Sequence, residues 1–336
     1  MNTQKLLHSL LGLAGTISLT LSSCNNYDFG QEFYKNEVGL LSSGEMMIYD
    51  RQVLDLNAEN QVINIVGNLS GSQRPGQDMS FTIVPDDSLF MRYNKTNFDL
   101  DESRFAHILP KDCYEMPSMT GTIKAGNGQG LIPIVIKNIE RLSPDSTYLL
   151  DFKIDETVTP NVNAKKKHVL LKLSYKNEFA STKTSTDYTY RNTFVSVLTE
   201  GSNTSRKLSS SVRLFPLGKN SVRMLAGDET YKNYVEALPD INAKSIILEV
   251  GDINPKDESA RFVTIKPYKT IEVVQMPAIL NYSNTYRLTE DKLPGGRSDF
   301  YKEFQLHYKY RVRPDEPFKE VKASFRLKVE KYADKL

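Results

Sequence analysis

The side chains that most often carry out catalysis are few and scattered in this sequence of 336 residues. Beyond the N-terminal segment there are three histidines, His107, His168 and His307. None of them has the spacing to another histidine, a cysteine or a glutamate that predicts a zinc site. No Gly-x-Ser-x-Gly motif occurs, and the glycines of residues 126–130 do not open a helix, so they predict a turn rather than a phosphate-binding loop. The sequence therefore predicts no catalytic residue, no metal site and no cofactor.

Acidic residues offer two further kinds of chemistry. The densest group is Asp99, Asp101 and Glu102, and carboxylates of this kind can bind calcium. Their spacing lacks the glycine and the terminal glutamate of a twelve-residue calcium loop, so we expect a solvated loop and leave open whether calcium binds near Asp99 and Asp101. Glycoside hydrolysis needs two carboxyl groups roughly 5 to 9.5 Å apart, a distance that one sequence cannot show.

Aromatic side chains are the best candidates for ligand binding. Sugars stack on aromatic faces, and this chain has no tryptophan but 18 tyrosines. Most tyrosines fall on positions predicted to face a core, among them Tyr148, Tyr175, Tyr308 and Tyr310. A few aromatics fall outside that pattern, and we predict that they form a ligand-binding surface: Tyr93, Tyr231, Tyr234, Phe300 and Tyr301.

Basic residues are numerous but balanced. The chain has 43 Lys and Arg against 41 Asp and Glu, which leaves almost no net field and predicts no nucleic-acid partner. One local group stands out, on the polar faces of the last two predicted strands: Lys309, Arg311, Lys322, Arg326 and Lys328. These charges could contact an anionic polysaccharide or a partner protein, or they could be a solvated face that discourages edge aggregation.

The elements that must position these residues are predicted to be strands. Apolar residues alternate with polar ones almost everywhere, for example at Phe81 and Ile83, and at Ile132, Ile134 and Ile136. The clearest alternation runs from Phe304 to Val312 and again from Val321 to Val329, which predicts an antiparallel hairpin over a core. On this pattern His307 falls on the polar side and is expected to be solvated. Helical periodicity is scarce, with one short candidate at residues 229–238.

The chain is predicted to fold into two all-β domains. A Ser/Thr-rich stretch, residues 177–187, lacks apolar alternation and separates two groups of strands. We therefore expect an immunoglobulin-like β-sandwich at residues 46–178 and a second antiparallel β-domain at residues 186–336. The second domain could be a sandwich or jelly roll, or a lipocalin-like barrel.

The N-terminus predicts export and lipidation. Lys5, an uncharged apolar run from Leu10 to Leu21 and the sequence Leu-Ser-Ser-Cys at residues 21–24 are typical of a bacterial lipoprotein signal. We expect residues 1–23 to be removed, Cys24 to be acylated and residues 24–45 to form a tether. Cys113 then remains as the only other cysteine, so no internal disulfide is expected. The expected location is the outer membrane, on the cell surface or on its periplasmic face.

Several motifs resemble a known group of proteins. Three lie in the first half, at residues 105–114 (FAHILPKDCY), 121–126 (GTIKAG) and 142–150 (LSPDSTYLL). They resemble the N-terminal domain of unknown function that is common in Bacteroides-type lipoproteins encoded beside glycan-uptake systems. Residues 216–224 (PLGKNSVRM) and 304–310 are similar to the C-terminal domain often paired with it. The resemblance implies an immunoglobulin-like sandwich, a second β-domain and a glycan-associated role at the cell surface.

Taken together, these features predict a non-enzymatic lipoprotein. It binds a polysaccharide or oligosaccharide, or it supports the proteins of a glycan-uptake complex. The alternative is a structural or adhesive module that recognises protein, and a weaker alternative is a divergent glycoside hydrolase. An aromatic cleft would favour glycan binding, and a flat apolar patch would favour recognition of a protein. A converging acid pair would favour a hydrolase.

Overall fold

The protein is almost entirely β. The computed structural model describes residues 36–71, 73–199, 201–231 and 237–329. Within these ranges the chain forms 22 strands and two α-helices, and the all-β prediction is confirmed. The strands divide into an N-terminal β-sandwich and a C-terminal antiparallel barrel of eight strands.

The sandwich consists of two sheets with a shared core. The first sheet contains, in spatial order, β1 (Val38–Leu40), β4 (Gln61–Leu69), β9 (Gln129–Ile136) and β7 (Tyr114–Glu115). The second contains β2 (Ile48–Tyr49), β11 (His168–Lys172), β10 (Tyr148–Ile154), β5 (Met79–Pro85) and β8 (Thr120–Ile123), with β6 (His107–Ile108) beside β10. A parallel pair, β3 (Val53–Asp55) and β12 (Ser174–Lys176), completes this part of the chain.

Alternation in the sequence explains the core of the sandwich. The inward positions of β5 and β9, which include Phe81 and Ile134, are fully buried, as are those of β10 and β11. Tyr175 belongs to the same core, as predicted, and Tyr148 packs against it as a half-buried residue. Cys113 is a free, buried cysteine, and burial raises the pKa of its thiol.

A helix that the sequence did not predict crosses the second sheet. It is α1 (Ser88–Phe98), between β5 and β6, and it packs through Leu89 and Tyr93 on Leu149 and Leu170. Only 8% of Tyr93 is exposed, because the ring lies on the inner face of α1 and contacts Phe98 edge-on. The prediction that Tyr93 belongs to an exposed binding surface was therefore wrong.

Eight strands of the C-terminal domain close into a barrel. In spatial order they are β13 (Thr186–Thr199), β15 (Ser211–Gly218), β16 (Ser221–Leu225), β17 (Ser245–Asn254), β18 (Asp257–Pro267), β20 (Thr285–Lys292), β21 (Ser298–Arg311) and β22 (Lys319–Val329), which pairs back to β13. Two shorter strands extend the ends of the barrel, β14 (Ser202–Leu208) beside β13 and β19 (Glu272–Gln275) beside β21. Of the architectures expected for this domain, the barrel is the one observed.

Side chains fill the interior of this barrel. Tyr188, Tyr286, Phe304, Tyr308 and Phe325 are completely buried there, and many of their rings meet edge to face, as aromatic pairs prefer. An eight-stranded barrel is just wide enough for such a filling. The barrel is therefore a packed core and not a ligand-binding cup.

The hairpin of β21 and β22 forms as predicted, but one of its side chains was assigned wrongly. His307 is only 5% exposed, because the segment before β20 covers the outer face of β21. Its Nδ1 lies 2.7 Å from the carbonyl oxygen of Pro277, and its Nε2 lies 2.7 Å from Oε1 of Glu320. Burial opposes the ionisation of Glu320, but the hydrogen bond from His307 and the charge of Lys322 outweigh it and lower the pKa of Glu320.

The segments expected to be tether and linker are partly folded. Strand β1 is buried within the first sheet, so the folded part of the chain begins before residue 45, where the tether was expected to end. In the Ser/Thr-rich stretch, Phe179 and Ala180 belong to the barrel core. Asn177 Nδ2 donates to the carbonyl oxygens of Gly218 and Ser221, at 2.8 and 2.9 Å. Side-chain hydrogen bonds thus order a segment that has no strand periodicity.

The second helix lies close to the predicted one. It is α2 (Ala237–Lys244), which overlaps the end of the range 229–238 expected from the sequence. The residues just before α2 lie outside the described part of the chain. None of the helices described is both long enough and apolar enough to cross a bilayer.

Candidate functional site

A large cavity lies between the two domains. It is an open cleft of about 1390 Å³. The sandwich contributes the C-terminal end of α1, residues 101–107 and residues 143–147. The barrel contributes residues 206–213, residues 227–231 and the start of α2. We call this cavity the interdomain cleft.

Aromatic and basic side chains form the sandwich wall of the interdomain cleft. Phe98 ends α1, and Phe105 follows a short 3-10 helix, Glu102–Arg104. The two rings are tilted at a centroid distance of 6.3 Å, and both are half-buried. The guanidinium of Arg104 lies 5.4 Å from the centre of the Phe98 ring, a cation–π arrangement. His107 continues this wall as an exposed side chain.

A buried ion pair joins the two domains at the back of the cleft. Arg223 Nη1, from β16, lies 2.6 and 2.7 Å from the two carboxylate oxygens of Asp145 in the sandwich. Only 2% of the Arg223 side chain and 7% of the Asp145 side chain are exposed. Phe215 and Tyr268 flank the guanidinium at 4.5 and 5.3 Å from their ring centres, and Tyr268 Oη donates to Asp145. Val222 and Met224 face the barrel core on either side of Arg223, so the strand directs Arg223 outward to the sandwich.

A second polar group lines the barrel wall. Tyr310 Oη lies 2.9 Å from Oδ1 of Asp228 and 3.1 Å from Oε1 of Glu229. Lys319 Nζ lies 3.2 and 2.7 Å from the same two oxygens, and Arg206 pairs with Oδ2 of Asp228. Gly227 permits this arrangement, since its φ is +50° and a Cβ there would lie 2.7 Å from the Tyr310 ring. We call these residues the Asp228 network.

Electrostatics favour the ionised form of Asp228 in this network. Burial opposes the ionisation of Asp228, but the hydrogen bond from Tyr310 and the charges of Lys319 and Arg206 outweigh it and lower the pKa of Asp228. Burial also opposes the charge of Lys319, but its contacts with Glu229 and Asp228 raise its pKa. A carboxyl group that acts as a general acid near neutral pH needs a raised pKa, and Asp228 has the opposite shift.

The five predicted aromatic binding residues separate in the structure. Tyr231 lines the interdomain cleft as a half-buried side chain, and its role in ligand binding stays a prediction. Phe300 and Tyr301 lie in β21 rather than in a loop, and neither lines the cleft. The Arg326 guanidinium covers the Tyr301 ring at 3.7 Å from its centre. Tyr234 lies outside the described residues, as does the predicted lipidation site Cys24.

The basic face predicted on the last two strands is largely neutralised. Arg326 pairs with Asp291 at 2.5 Å, Lys328 with Asp299 at 2.8 Å and Arg311 with Glu272 at 2.6 Å. Lys322 lies 3.4 Å from Glu320, and Lys309 lies over the Phe318 ring. Two of the acidic partners, Asp291 and Glu272, come from the neighbouring strands β20 and β19, and the other two, Asp299 and Glu320, lie in the hairpin strands themselves.

Within the described ranges, no cluster of three or more His, Cys, Asp or Glu side chains has a geometry that could hold a metal ion. Asp101 lines the interdomain cleft, where its Oδ1 accepts a hydrogen bond from Ser103 at 2.6 Å. Asp99 follows the last residue of α1 and has a positive φ of 54°.

Sequence reasoning missed most of the cleft, although a signal was present. The motif at residues 105–114 supplies Phe105 and His107, and the motif at residues 142–150 supplies Asp145. The motif at residues 216–224 supplies Arg223. These motifs were recognised only as family signatures, but the structure brings residues from all three to the junction between the domains.

The fold and the cleft define a class of two-domain protein in which a β-sandwich precedes a filled eight-stranded barrel. Two family models match the chain. One describes an N-terminal domain and matches residues 34–161, and the other describes a C-terminal domain and matches residues 167–326. The two matches lie one after the other along the chain, in the order of the two domains seen in the structure. No curated protein matches the sequence.

Solved structures from Bacteroides share this fold. A protein of unknown function from Bacteroides ovatus has a TM-score of 0.61 at 18% identity, with 87% of this chain and 92% of that one covered. An auxiliary nutrient binding protein from Bacteroides thetaiotaomicron has a TM-score of 0.58 at 14% identity, with 84% and 90% covered. At these identities the likeness establishes the fold of the part of the chain that is covered and nothing about its ligand.

Proposed function

We propose that this protein is a non-catalytic, lipid-anchored surface protein that binds an oligosaccharide in the interdomain cleft and supports a glycan-uptake complex. The observation that carries this proposal is the cleft itself, an open space of about 1390 Å³ with aromatic rings on its walls. Typical small-molecule pockets measure about 300–1,000 Å³, so the space suits an oligomer better than a single sugar.

The lining of the cleft has the mixture that saccharide recognition requires. Phe98 and Phe105 on one wall and Tyr231 on the other offer apolar ring surface, on which the C–H faces of a sugar can stack. Hydroxyl side chains lie between them and can exchange hydrogen bonds with sugar hydroxyls, namely Ser103, Ser143, Ser146, Thr147, Ser209, Ser210, Ser211 and Thr230. The filled barrel offers no comparable space.

The chemistry of the cleft supports binding rather than hydrolysis. Asp228 and Glu229 converge, but Tyr310 and Lys319 contact both, and the pKa of Asp228 is lowered. Asp145 is held by Arg223. A glycoside hydrolase needs one carboxyl group with a raised pKa as its acid, and the lowered pKa of Asp228 does not suit that role.

The sequence and one similar structure support the proposed place in the cell. The lipobox at residues 21–24 supports an anchor at Cys24, and we propose the outer leaflet of the outer membrane as its location. The relative described as an auxiliary nutrient binding protein supports a role beside an uptake system. In that role the cleft would collect saccharide for the transport proteins.

The test compares two tyrosines of which only one lies in the cleft. Tyr231→Ala should weaken oligosaccharide binding about fivefold or more, which corresponds to roughly 1 kcal/mol of lost stacking. Tyr301→Ala is the matched control, because it removes the same side chain from a half-buried site outside the cleft. The measurement is calorimetric titration of the purified full-length chain with a panel of neutral, uronic-acid and sulfated hexasaccharides.

Two results would contradict the proposal. An affinity that falls in Tyr301→Ala and not in Tyr231→Ala would place binding outside the cleft. Failure of the parent protein to bind any saccharide of the panel would favour the protein-recognising alternative. Thermal unfolding of each variant separates lost binding from lost fold.

A further inference from the structure

We infer that the interdomain cleft selects anionic oligosaccharides, which carry carboxylate or sulfate groups, over neutral ones. This inference rests on the proposed function and adds the substrate class. It depends on the way in which the charges of the cleft are paired with one another.

The acids of the cleft are mostly compensated by neighbouring cations. Arg213 contacts both oxygens of Asp187, at 2.9 and 3.3 Å. Asp145 is neutralised by Arg223, and the two acids of the Asp228 network face Lys319 and Arg206. In each case the acid has its own positive partner, so these groups add no net charge to the cleft.

Two cations on the cleft walls have no acidic partner among the described residues. Arg104 lies on the sandwich wall, where its guanidinium contacts only the Phe98 ring among charged or aromatic groups. Lys207 lies on the barrel wall, is exposed, and makes no ion pair within the described ranges. Asp101 is the remaining acid of the lining. When Arg223 and Lys319, which contact lining acids from outside the lining, are counted with those acids, Arg104 and Lys207 leave the cleft with one excess positive charge.

The position of Arg104 suits a charged sugar. Its guanidinium lies beside Phe98, and Phe98 lies beside Phe105, so one wall offers ring surface next to a cation. A uronic acid or a sulfated sugar has an apolar C–H face and an anionic group on the same ring. The face can stack on the aromatic pair while the anion accepts hydrogen bonds from Arg104, which binds carboxylate and sulfate through paired N–H donors.

Lys207 adds a second contact from the other domain. An oligomer that carries an anion on successive sugars can reach Arg104 on the sandwich and Lys207 on the barrel at the same time. An exposed ammonium contributes less than a guanidinium held beside a ring, because water and salt screen it. We therefore expect Arg104 to determine more of the selectivity than Lys207.

The experiment measures selectivity and not only affinity. The full-length chain is titrated with length-matched hexasaccharides of neutral glucan, of uronic acid and of sulfated galactan. The parent should bind one of the anionic hexamers at least about tenfold more tightly than the neutral one, because a charged hydrogen bond contributes at least that much. The uronic-acid and sulfated arms show which anion is preferred.

Variants assign the selectivity to the two cations. Arg104→Gln should reduce the anionic affinity about tenfold with little change for the neutral hexamer, and Lys207→Gln should reduce it about threefold. Lys256→Gln is the matched control, because Lys256 is an exposed lysine in the turn between β17 and β18, away from the cleft. Its affinity should equal that of the parent.

Three other results would contradict the inference. If the parent binds the neutral hexamer as tightly as the anionic ones, the selectivity is refuted while the proposed function stands. If Arg104→Gln and Lys256→Gln behave alike with the anionic hexamer, the assignment to Arg104 is refuted. If the parent binds no hexamer, both the inference and the proposed function fail.

Discussion

The surroundings of Asp151 favour the neutral form of its carboxyl group, and its pKa is raised. Its side chain in β10 is buried, and Oδ2 accepts hydrogen bonds at 2.9 Å from the backbone N–H groups of Leu89 and Phe90, in the first turn of α1. Oδ1 has no hydrogen-bond partner. Burial raises the pKa of Asp151 to about 6; the Phe90 N–H works against that shift, and the charge of Asp86 adds to it. Folding therefore makes the carboxyl group of Asp151 easier to protonate.

The first prediction at this scale concerns pH. Because the folded pKa of about 6 lies above the unfolded value of 3.8, the stabilisation is complete below pH 3.8 and is lost as pH rises through 6. Asp151→Asn removes this dependence, and should therefore exceed the parent in free energy of unfolding by up to about 3 kcal/mol at pH 7 and by little at pH 4. Urea unfolding of both proteins between pH 4 and pH 7 measures this difference.

Asp252→Asn is the control, since Asp252 is an exposed carboxylate of β17. A difference between Asp151→Asn and the parent that does not change with pH would contradict the prediction.

Single residues also show where sequence reasoning fails. His307 was expected to be exposed because apolar and polar residues alternate along its strand. That alternation shows only that the side chain points away from the barrel core. A segment 20 to 30 residues earlier, which includes Pro277 and Asn284, covers that face and hydrogen-bonds to His307. The prediction for Tyr93 was wrong for a related reason. Helix α1 has no clear apolar stripe, and its position is determined by packing on the second sheet.

At the scale of elements, the junction between loop 143–147 and β16 fixes the geometry of the cleft. Asp145 and Arg223 are buried, and among the described residues each is the other's only ion-pair partner. Lys183, in the segment that joins the domains, lies 2.6 Å from Oδ2 of Asp50 in the sandwich. A buried pair is costly to form, but removal of one partner leaves an uncompensated charge out of water.

The second prediction follows from that asymmetry. Asp145→Asn should lower the free energy of unfolding by about 3–5 kcal/mol, because Arg223 remains buried without its counterion. The control is Glu249→Gln, which breaks the exposed pair with Lys266 on the barrel surface and should cost less than about 1 kcal/mol. Chemical unfolding monitored by tyrosine fluorescence measures both. Equal effects of the two substitutions would mean that the junction contributes nothing special to stability.

Elements with strict alternation could be predicted, and elements that depend on distant contacts could not. The hairpin of β21 and β22 was predicted because one period-two pattern gives both its strands and their buried faces. Closure of the barrel could not be predicted, because the pairing of β13 with β22 joins residues more than 120 positions apart. The cleft required the positions of both domains, so its residues could be recognised only as motifs.

At the scale of the whole molecule, the distance in sequence between the proposed lipid anchor and the first described strand limits how far the folded domains can lie from a membrane. Strand β1, the first described element, begins at Val38. Thirteen residues separate Cys24 from Val38, and an extended chain of that length spans at most about 50 Å. If Cys24 carries the lipid, Val38 therefore lies within about 50 Å of the membrane surface.

The third prediction tests that anchor. Cys24→Ala should move the protein from the membrane fraction to the soluble fraction, because acyl chains on Cys24 would be its attachment and no described helix can span a bilayer. Cys113→Ala is the matched control, since Cys113 is buried in the sandwich core and cannot carry a lipid in the folded protein. Cell fractionation followed by a carbonate wash measures both variants. Retention of Cys24→Ala in the washed membranes would refute the anchor, whereas its release, with Cys113→Ala retained, would show that the lipobox cysteine holds the cleft at the membrane.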